Sequence, residues 1–423
     1  MPLTSTPAAS PAIPAAAVQS VRSHFPALER RVGGHPVAYF DGPGGTQVPR
    51  AVADAVTDYL LHHNANTHWA YPTSRETDAM LWSAREAVAD LVGGTPAEIA
   101  FGANMTTLTF HLARALGRGF GAGDEVVVTE LDHHANVAPW QAVARERGVT
   151  LRTVPLSLPG AELDLAALEA SLGPRTRLVA VGAASNAVGT INDVAAITER
   201  ARAVGALTFV DAVHYAPHRL LDVAALGADF LACSAYKFYG THLGILWGRQ
   251  ALLESLDLPK LIPAPDSAPE RLETGTQNHE GIAGALAAIE WLASLGSMER
   301  GAASRRDRLA ATYGAFAQRE EVLFRQLWDM LGSTPGITRY GRLPGANRTG
   351  TVSVSTGARS PETVASALAE QGLFVSHGDF YATTVVERLG LAKQGMLRIG
   401  LSCYTTTEEI DRLGKALAVI MRA

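Results

Sequence analysis

Short apolar runs bounded by turn residues recur through the first three quarters of the chain. DEVVVTE (124–130), RLVAVGAAS (177–185), ALTFVDA (206–212) and DFLACSA (229–235) are partly β-branched and end in Glu, Ser or Ala. Runs of this length read as strands buried on both faces. Between them, VAPWQAVARERG and DVAAITERARAVGA carry apolar residues at helical spacing. Strand–helix alternation of this kind predicts a largely parallel sheet covered by helices.

From about residue 305 the pattern changes. RRDRLAATYGAFAQREEVLFRQLWDML reads as one long helix, TGTVSVST and MLRIGLS as short strands, and TTEEIDRLGKALAVIMRA as a final helix. That helix opens with Thr407 ahead of an acidic pair, which sets Tyr404 and Thr405 just outside it. The expected fold class is α/β. An N-terminal arm is expected over 1–34. A large domain over 35–304 follows, its first segment packing near the small domain, and then a small α+β domain over 305–423. A chain of 423 residues exceeds one ordinary core and leaves room for a cofactor between two domains.

Composition narrows the function classes. The first twenty residues are rich in Ala, Pro and Ser, without a basic start or a continuous apolar core, and read as a flexible arm, not a signal peptide. No apolar run reaches the roughly 18 residues of a membrane helix. The net charge of −5 is spread over interspersed acids and bases, so neither nucleic acid nor a membrane is an expected partner. Two cysteines far apart make no disulfide framework, and a cytoplasmic protein is expected.

Only four lysines, Lys237, Lys260, Lys393 and Lys415, stand among 36 basic residues. Lys260 sits in a Pro-flanked loop, Lys393 in a Gly-rich turn and Lys415 on the amphipathic terminal helix. Lys237 directly follows a predicted strand in CSAYKFYG, so its amine emerges at the carboxyl end of the sheet, where open α/β folds bind ligands. Partial desolvation there keeps an amine nucleophilic. Asp211 ends the strand LTFVD, and a strand–helix–strand path brings it beside Lys237. This pair is what pyridoxal 5'-phosphate (PLP) chemistry requires: a carboxylate that keeps the pyridine nitrogen protonated, and a lysine that holds the aldehyde and then moves protons. Taken alone, Asp211 also suits a helix cap.

Other residues extend the pattern. His133, in ELDHHANVAPW, follows a strand end and can stack on a cofactor ring or act as acid or base; in isolation, paired histidines also read as polar loop residues. GANMTTLTFHLARAL places Asn104, Met105 and Thr106 at a helix opening, which suits phosphate. GPGGTQ near residue 42 lacks nucleotide-loop spacing and reads as a chain reversal at the pocket edge. His62, His63, His68, His133 and His134 match no HExxH or CxxC spacing, so no metal is expected.

With these residues in place, the chain resembles the class V aminotransferase-fold PLP enzymes, and among them the cysteine desulfurase-like proteins. ANTHWAYPTSRET, ELDHHANVAPW, AASNAVGTI, FVDAVHYAPH, SAYKFYGTHLGILWG, ETGTQNHEGIAG and LRIGLSCYTTTEEID stand in family order over residues 35 to 423. The resemblance implies a PLP-dependent transferase type I fold whose large domain carries a mainly parallel, seven-stranded-type sheet. It implies a homodimer with shared active sites and an amino-acid substrate. Lys237 is then the Schiff-base lysine, Asp211 the partner of the pyridine nitrogen and His133 the stacking residue. Ser234 and Tyr236 join Asn104, Met105 and Thr106 around the phosphate, and Thr276 reaches it from the second subunit. Asn186 lies beside the cofactor hydroxyl and the substrate carboxylate, and Arg398 pairs with that carboxylate through a planar guanidinium.

Three departures separate the chain from the desulfurase pattern. His214 stands where desulfurases usually have glutamine beside the PLP hydroxyl, and Tyr236 where their lysine is usually preceded by histidine. Their reactive cysteine loop corresponds here to FVSHGDFYATT, which has no cysteine and places Tyr381 near that position. Cys233 falls within a strand and is expected in the core, while Cys403, close after Arg398, is a candidate to border the pocket. The expected function is that of a PLP-dependent lyase or transferase, with carbon–sulfur or carbon–selenium lyase activity as one reading. Class V transamination, epimerisation and decarboxylative deamination are others, and a non-catalytic PLP-fold binding protein is the contrasting class.

Overall fold

The computed structural model describes residues 15–158, 160–296 and 303–422. Its main layer is a seven-stranded sheet built from β1 (Ile99–Gly102), β2 (Glu125–Thr129), β3 (Thr150–Val154), β4 (Thr176–Gly182), β5 (Leu207–Asp211), β6 (Phe230–Ser234) and β7 (Gly244–Gly248). In space the order is β1-β7-β6-β5-β4-β2-β3. Only β7 runs antiparallel to its neighbours β6 and β1, so the sheet is mainly parallel as the alternating pattern requires. Successive residues serve opposite faces: Val127, Val179, Val210 and Leu231 enter one core and Val126, Val128, Leu178, Phe209 and Phe230 the other. Burial on both faces is why these strands read as unbroken apolar runs.

Helices α1 (Ala15–Arg22), α2 (Pro72–Val92), α3 (Met105–Gly117), α4 (Ala138–Arg147), α5 (Val194–Ala203) and α6 (His279–Leu295) accompany this sheet. The flexible-arm expectation for the first twenty residues is corrected from Ala15 onward. Val18 and Val21, three residues apart, bury one face of α1, and Phe25 packs edge-on against Trp291 and Tyr404. The rest of that expectation, residues 1–14, lies outside the described residues.

A second, four-stranded sheet is formed by β8 (Thr338–Tyr340), β9 (Thr351–Ser355), β10 (Ser376–Gly378) and β11 (Met396–Gly400), in the order β8-β9-β11-β10. Ser304 caps the long helix α7 (Arg305–Ser333) through a reciprocal box with Asp307. That helix serves both units: Leu309, Tyr313 and Phe316 pack into the large-sheet core, whereas Leu323, Phe324 and Leu327 pack into the small-sheet core. Ala38–Tyr39 pairs in parallel with Leu373–Phe374, which carries the segment before residue 42 onto the second unit. The closing helix α8 (Thr407–Ile420) is capped by Thr406, whose hydroxyl and Glu409 form the capping box. Among the described residues no helix is long and apolar enough to cross a membrane.

Candidate active site

The carboxyl ends of β4, β5 and β6 bring Gly182, Asp211 and Ser234 to one edge of the sheet. A cavity of about 910 Å³ opens there, bounded on its far side by β10, β11 and the loop after β10. Asn104, Met105, Thr106, His133, Asn186, Asp211, His214, Ser234, Tyr236, Lys237 and Arg398 all line it. Thr276 does not: it is exposed, on the segment before α6.

Lys237 lies in a single helical turn after β6 and is 8% exposed. Its Nζ donates to the backbone carbonyls of Pro43 and of Gly44, the latter at 3.1 Å, and sits 4.9 Å from the centre of the Tyr236 ring. The GPGGTQ reversal is therefore part of the cavity wall. Burial brings the Lys237 amine down to about 7, helped by the charge of Arg398 and opposed by Asp211 and Asp41. Burial pushes the neighbouring Asp211 carboxyl up to about 6, against a hydrogen bond from the Val213 N–H at 2.9 Å. A protonated ring nitrogen against Asp211 would pull that value back down, since an opposite charge favours the carboxylate.

At the opening of α3, the side chain of Asn104 accepts the Thr107 N–H at 2.8 Å. The amides of Met105 and Thr106 come before any intrahelical acceptor and remain available to an anion. The loop can approach the sheet only because Gly244 has no side chain; a Cβ there would stand 2.3 Å from the Asn104 carbonyl carbon. On the opposite wall His133 accepts the Ala135 N–H at Nδ1, 3.0 Å, which leaves the hydrogen of the neutral ring on Nε2. Burial, then the charges of Lys237 and Arg398, bring His133 down to about 4, so it is neutral at pH 7. Burial likewise holds His214 well below the ordinary histidine range, with Nε2 at 3.1 Å from the Thr349 hydroxyl.

Arg398, on β11 and 5% exposed, donates to the Asn186 carbonyl at 3.1 Å and to the Ser376 hydroxyl at 3.4 Å, with its guanidinium 4.2 Å from the Phe380 ring centre. Asn186 in turn donates to the Phe380 carbonyl at 2.8 Å. Phe380 and Tyr381 both take left-handed backbone angles, φ 59° and 56°, each costing about 1–3 kcal/mol unless the surroundings enforce it. The enforcing contacts are those just named, together with the His134 N–H on the Tyr381 carbonyl at 2.7 Å and the Tyr381 N–H on Asp379 at 3.1 Å. Tyr381 itself is exposed at the mouth, its ring 5.4 Å from that of His133.

The cavity fits a group that is both anionic and hydrogen-bonding. Asn186 Oδ1, His214 Nδ1 and Arg398 Nε are buried there without a protein partner, an expensive condition unless a ligand meets it. The chemistry of Asp211, Lys237 and the α3 opening would suit a protonated pyridine nitrogen, an aldehyde and a phosphate respectively.

Both cysteines lie elsewhere. Cys233 packs in the large-sheet core, and burial pushes its thiol up to about 12. The expectation that Cys403 borders the pocket is corrected: it lines a separate crevice of about 20 Å³ with Tyr239, Phe316 and Arg319. Its backbone N–H donates to the Tyr239 hydroxyl at 3.1 Å, and burial pushes its thiol up to about 12 as well. The turn after β11 directs Cys403 into the aromatic core that holds Phe25 and Tyr404. Sequence reasoning also missed Asp132 and Phe380. Asp132 carried a signal as the residue just before His133 at a strand end, whereas Phe380 carried none.

A buried lysine and a buried aspartate stand together at the carboxyl edge of a mainly parallel sheet. The sequence pattern of the family described as aminotransferase class-V matches residues 38–413, and the chain belongs to that family, whose members use PLP. It is an enzyme of the cysteine desulfurase-like part of the family. It is 34% identical to a cysteine desulfurase of Dickeya dadantii, over 96% of this chain and 97% of that one. It is 33% identical to another from Pectobacterium atrosepticum, over 96% and 98%. The apo structure of a cysteine desulfurase from Thermococcus onnurineus superposes with a TM-score of 0.86 at 28% identity, over 98% of this chain and 100% of that one. The Escherichia coli cysteine desulfurase CsdA gives 0.82 at 27%, over 96% and 98%.

Proposed function

We propose that the chain is a PLP-dependent enzyme that cleaves a carbon–sulfur or carbon–selenium bond of an amino acid without storing the chalcogen on a protein cysteine. The carrying observation is the position of the thiols: both cysteines of the chain stand outside the cavity that holds Lys237, and both are buried and protonated near neutrality. A thiolate is needed to store sulfane sulfur, and the wall nearest the cavity mouth offers the Tyr381 phenol instead.

Bound PLP would supply the electron sink for negative charge at the substrate α-carbon. In this reading Lys237 would hold the cofactor, and its amine, already depressed toward neutrality, would move a proton at the substrate. Asp211 would keep the ring nitrogen protonated, His133 would pack as a neutral imidazole on the ring, and the α3 opening with Ser234 and Tyr236 would hold the phosphate. His214 and Asn186 would meet the ring hydroxyl, and Arg398 would take the substrate carboxylate. A homodimer in which Thr276 completes the partner's phosphate site is consistent with its exposure on this chain. A cytoplasmic setting accords with two unpaired, buried thiols.

The test is to reconstitute the protein with PLP, record its visible absorbance, and incubate it with cysteine, selenocysteine and a panel of L-amino acids. Free sulfide or selenide released without a protein-bound persulfide supports the proposal. Keto acid formed with neither sulfide, selenide nor ammonia, racemised substrate, or carbon dioxide would instead assign transamination, epimerisation or decarboxylative deamination, whereas keto acid and ammonia released together with sulfide or selenide are the products of the proposed elimination. Absence of any spectral response to the panel would favour a non-catalytic binding protein.

A further inference from the structure

Asp132 is 6% exposed and takes no part in the chemistry assigned above. Its carboxylate nevertheless collects four donors from three elements, one of which, at Gly182, lines the cavity. Oδ2 accepts from the Thr129 hydroxyl at 2.8 Å and the Thr129 N–H at 3.3 Å, at the end of β2. Oδ1 accepts from the Asn136 amide at 3.4 Å, in the turn after His133, and from the Gly182 N–H at the end of β4. Gly182 lines the cavity, and a Cβ on it would stand 2.7 Å from Asp132 Oδ1, so the carboxylate reaches that amide only past a glycine. Gly182 is in register with Asp211, and the next amide, Ala183 N–H, donates to the Asp211 carbonyl at 2.8 Å. Asp132 is therefore bonded on one side to the strand end that registers Asp211, and is joined through the chain on the other to His133.

We propose that Asp132 is a positioning residue of the cofactor site, which sets the relative placement of His133 and Asp211 by tying the ends of β2 and β4 to the turn between them. A cofactor held by both His133 and Asp211 would depend on that placement, and a buried carboxylate with four donors fixes it more firmly than packing alone. The inference rests on the PLP reading of the cavity.

Asp132→Asn is nearly isosteric: it keeps an oxygen for the Gly182 N–H but turns an NH2 toward the Thr129 N–H, leaving that donor unpaired. The holoprotein and the variant are compared by PLP titration in the visible range and by the induced circular dichroism of the bound cofactor, with far-ultraviolet circular dichroism and Tm as controls of folding. The expected result is a folded variant with PLP affinity weakened about tenfold and a reduced induced signal. A folded variant with wild-type PLP affinity and induced signal overturns the proposal, whatever its Tm, because a merely structural role moves Tm alone. Should Asp132→Asn not fold, Thr129→Val removes one of the four donors, the hydroxyl, and is followed by the same two measurements: weakened PLP affinity with a reduced induced signal supports the proposal, and wild-type values overturn it. If the wild type itself takes up no PLP, the functional reading falls first and this inference with it.

Discussion

Arg398 and Cys403 stand five positions apart on one stretch of chain, yet they end in opposite kinds of environment. Arg398 faces a cavity of about 910 Å³ and its Nε is unpaired, as are Asn186 Oδ1 and His214 Nδ1 in the same cavity lining. Cys403 turns into a crevice of about 20 Å³, room for about one water molecule, lined by Tyr239, Phe316 and Arg319. The first region stores charge and unsatisfied hydrogen bonds, whereas the second removes a thiol from chemistry by burying it. Nearness in sequence to an arginine that lines the cavity thus says little about access to that cavity.

The largest expected effect comes from Lys237→Ala, which should abolish covalent PLP attachment and turnover, since Lys260 is paired to Asp266 in a distant loop and no other lysine among the described residues lines the cavity. Survival of turnover in that variant would put the chemistry elsewhere. In the cofactor-free protein the same amine should make stability depend on pH. Its folded value is about 7 and an unfolded lysine titrates near ~10.4, so between the two the unfolded chain binds the extra proton and stability rises with pH. The penalty is complete below about 7 and is relieved above about 10.4, by at most about 5 kcal/mol. Urea unfolding of cofactor-free wild type and Lys237→Met should converge as pH rises from 7 to 10; parallel curves would show that the amine is not desolvated.

Arg398→Ala should weaken amino-acid binding by about 2 to 5 kcal/mol while PLP affinity changes little, as read by titration of the holoprotein. Loss of PLP with substrate affinity intact would reassign the guanidinium to the cofactor. The smallest effect on the cavity belongs to Cys403→Ser. It should cost about 1–3 kcal/mol of stability by burying a hydroxyl yet leave PLP binding and product release unchanged. Sulfide release from cysteine that disappears in this variant with PLP still bound would restore a protein persulfide and erase the contrast between the two regions.

Much of the site was legible because its residues sit where the apolar runs stop. Asp211 and Ser234 end strands, Lys237 follows one closely, and Asn104 caps a helix whose start the sequence marks. The period of apolar positions therefore located them along the sheet edge. What escaped notice depends on directions that a one-dimensional pattern does not carry. The turn after β11 decides that Cys403 faces the core, and two left-handed residues decide that Phe380 packs under Arg398 while Tyr381 reaches the cavity mouth. The helix at Ala15–Arg22 was hidden by its Ala- and Pro-rich surroundings, although Val18, Val21 and Phe25 supply the apolar face that docks it.

The proposed chemistry stands or falls on attachment of PLP in this cavity through Lys237. The most direct measurement is borohydride reduction of the PLP-reconstituted wild type, followed by mass mapping of the modified peptide. The account predicts a reduced pyridoxyl group on the peptide containing Ser234, Tyr236 and Lys237 and on no other. A modification confined to Lys260, Lys393 or Lys415, or no modification after reconstitution, would contradict it.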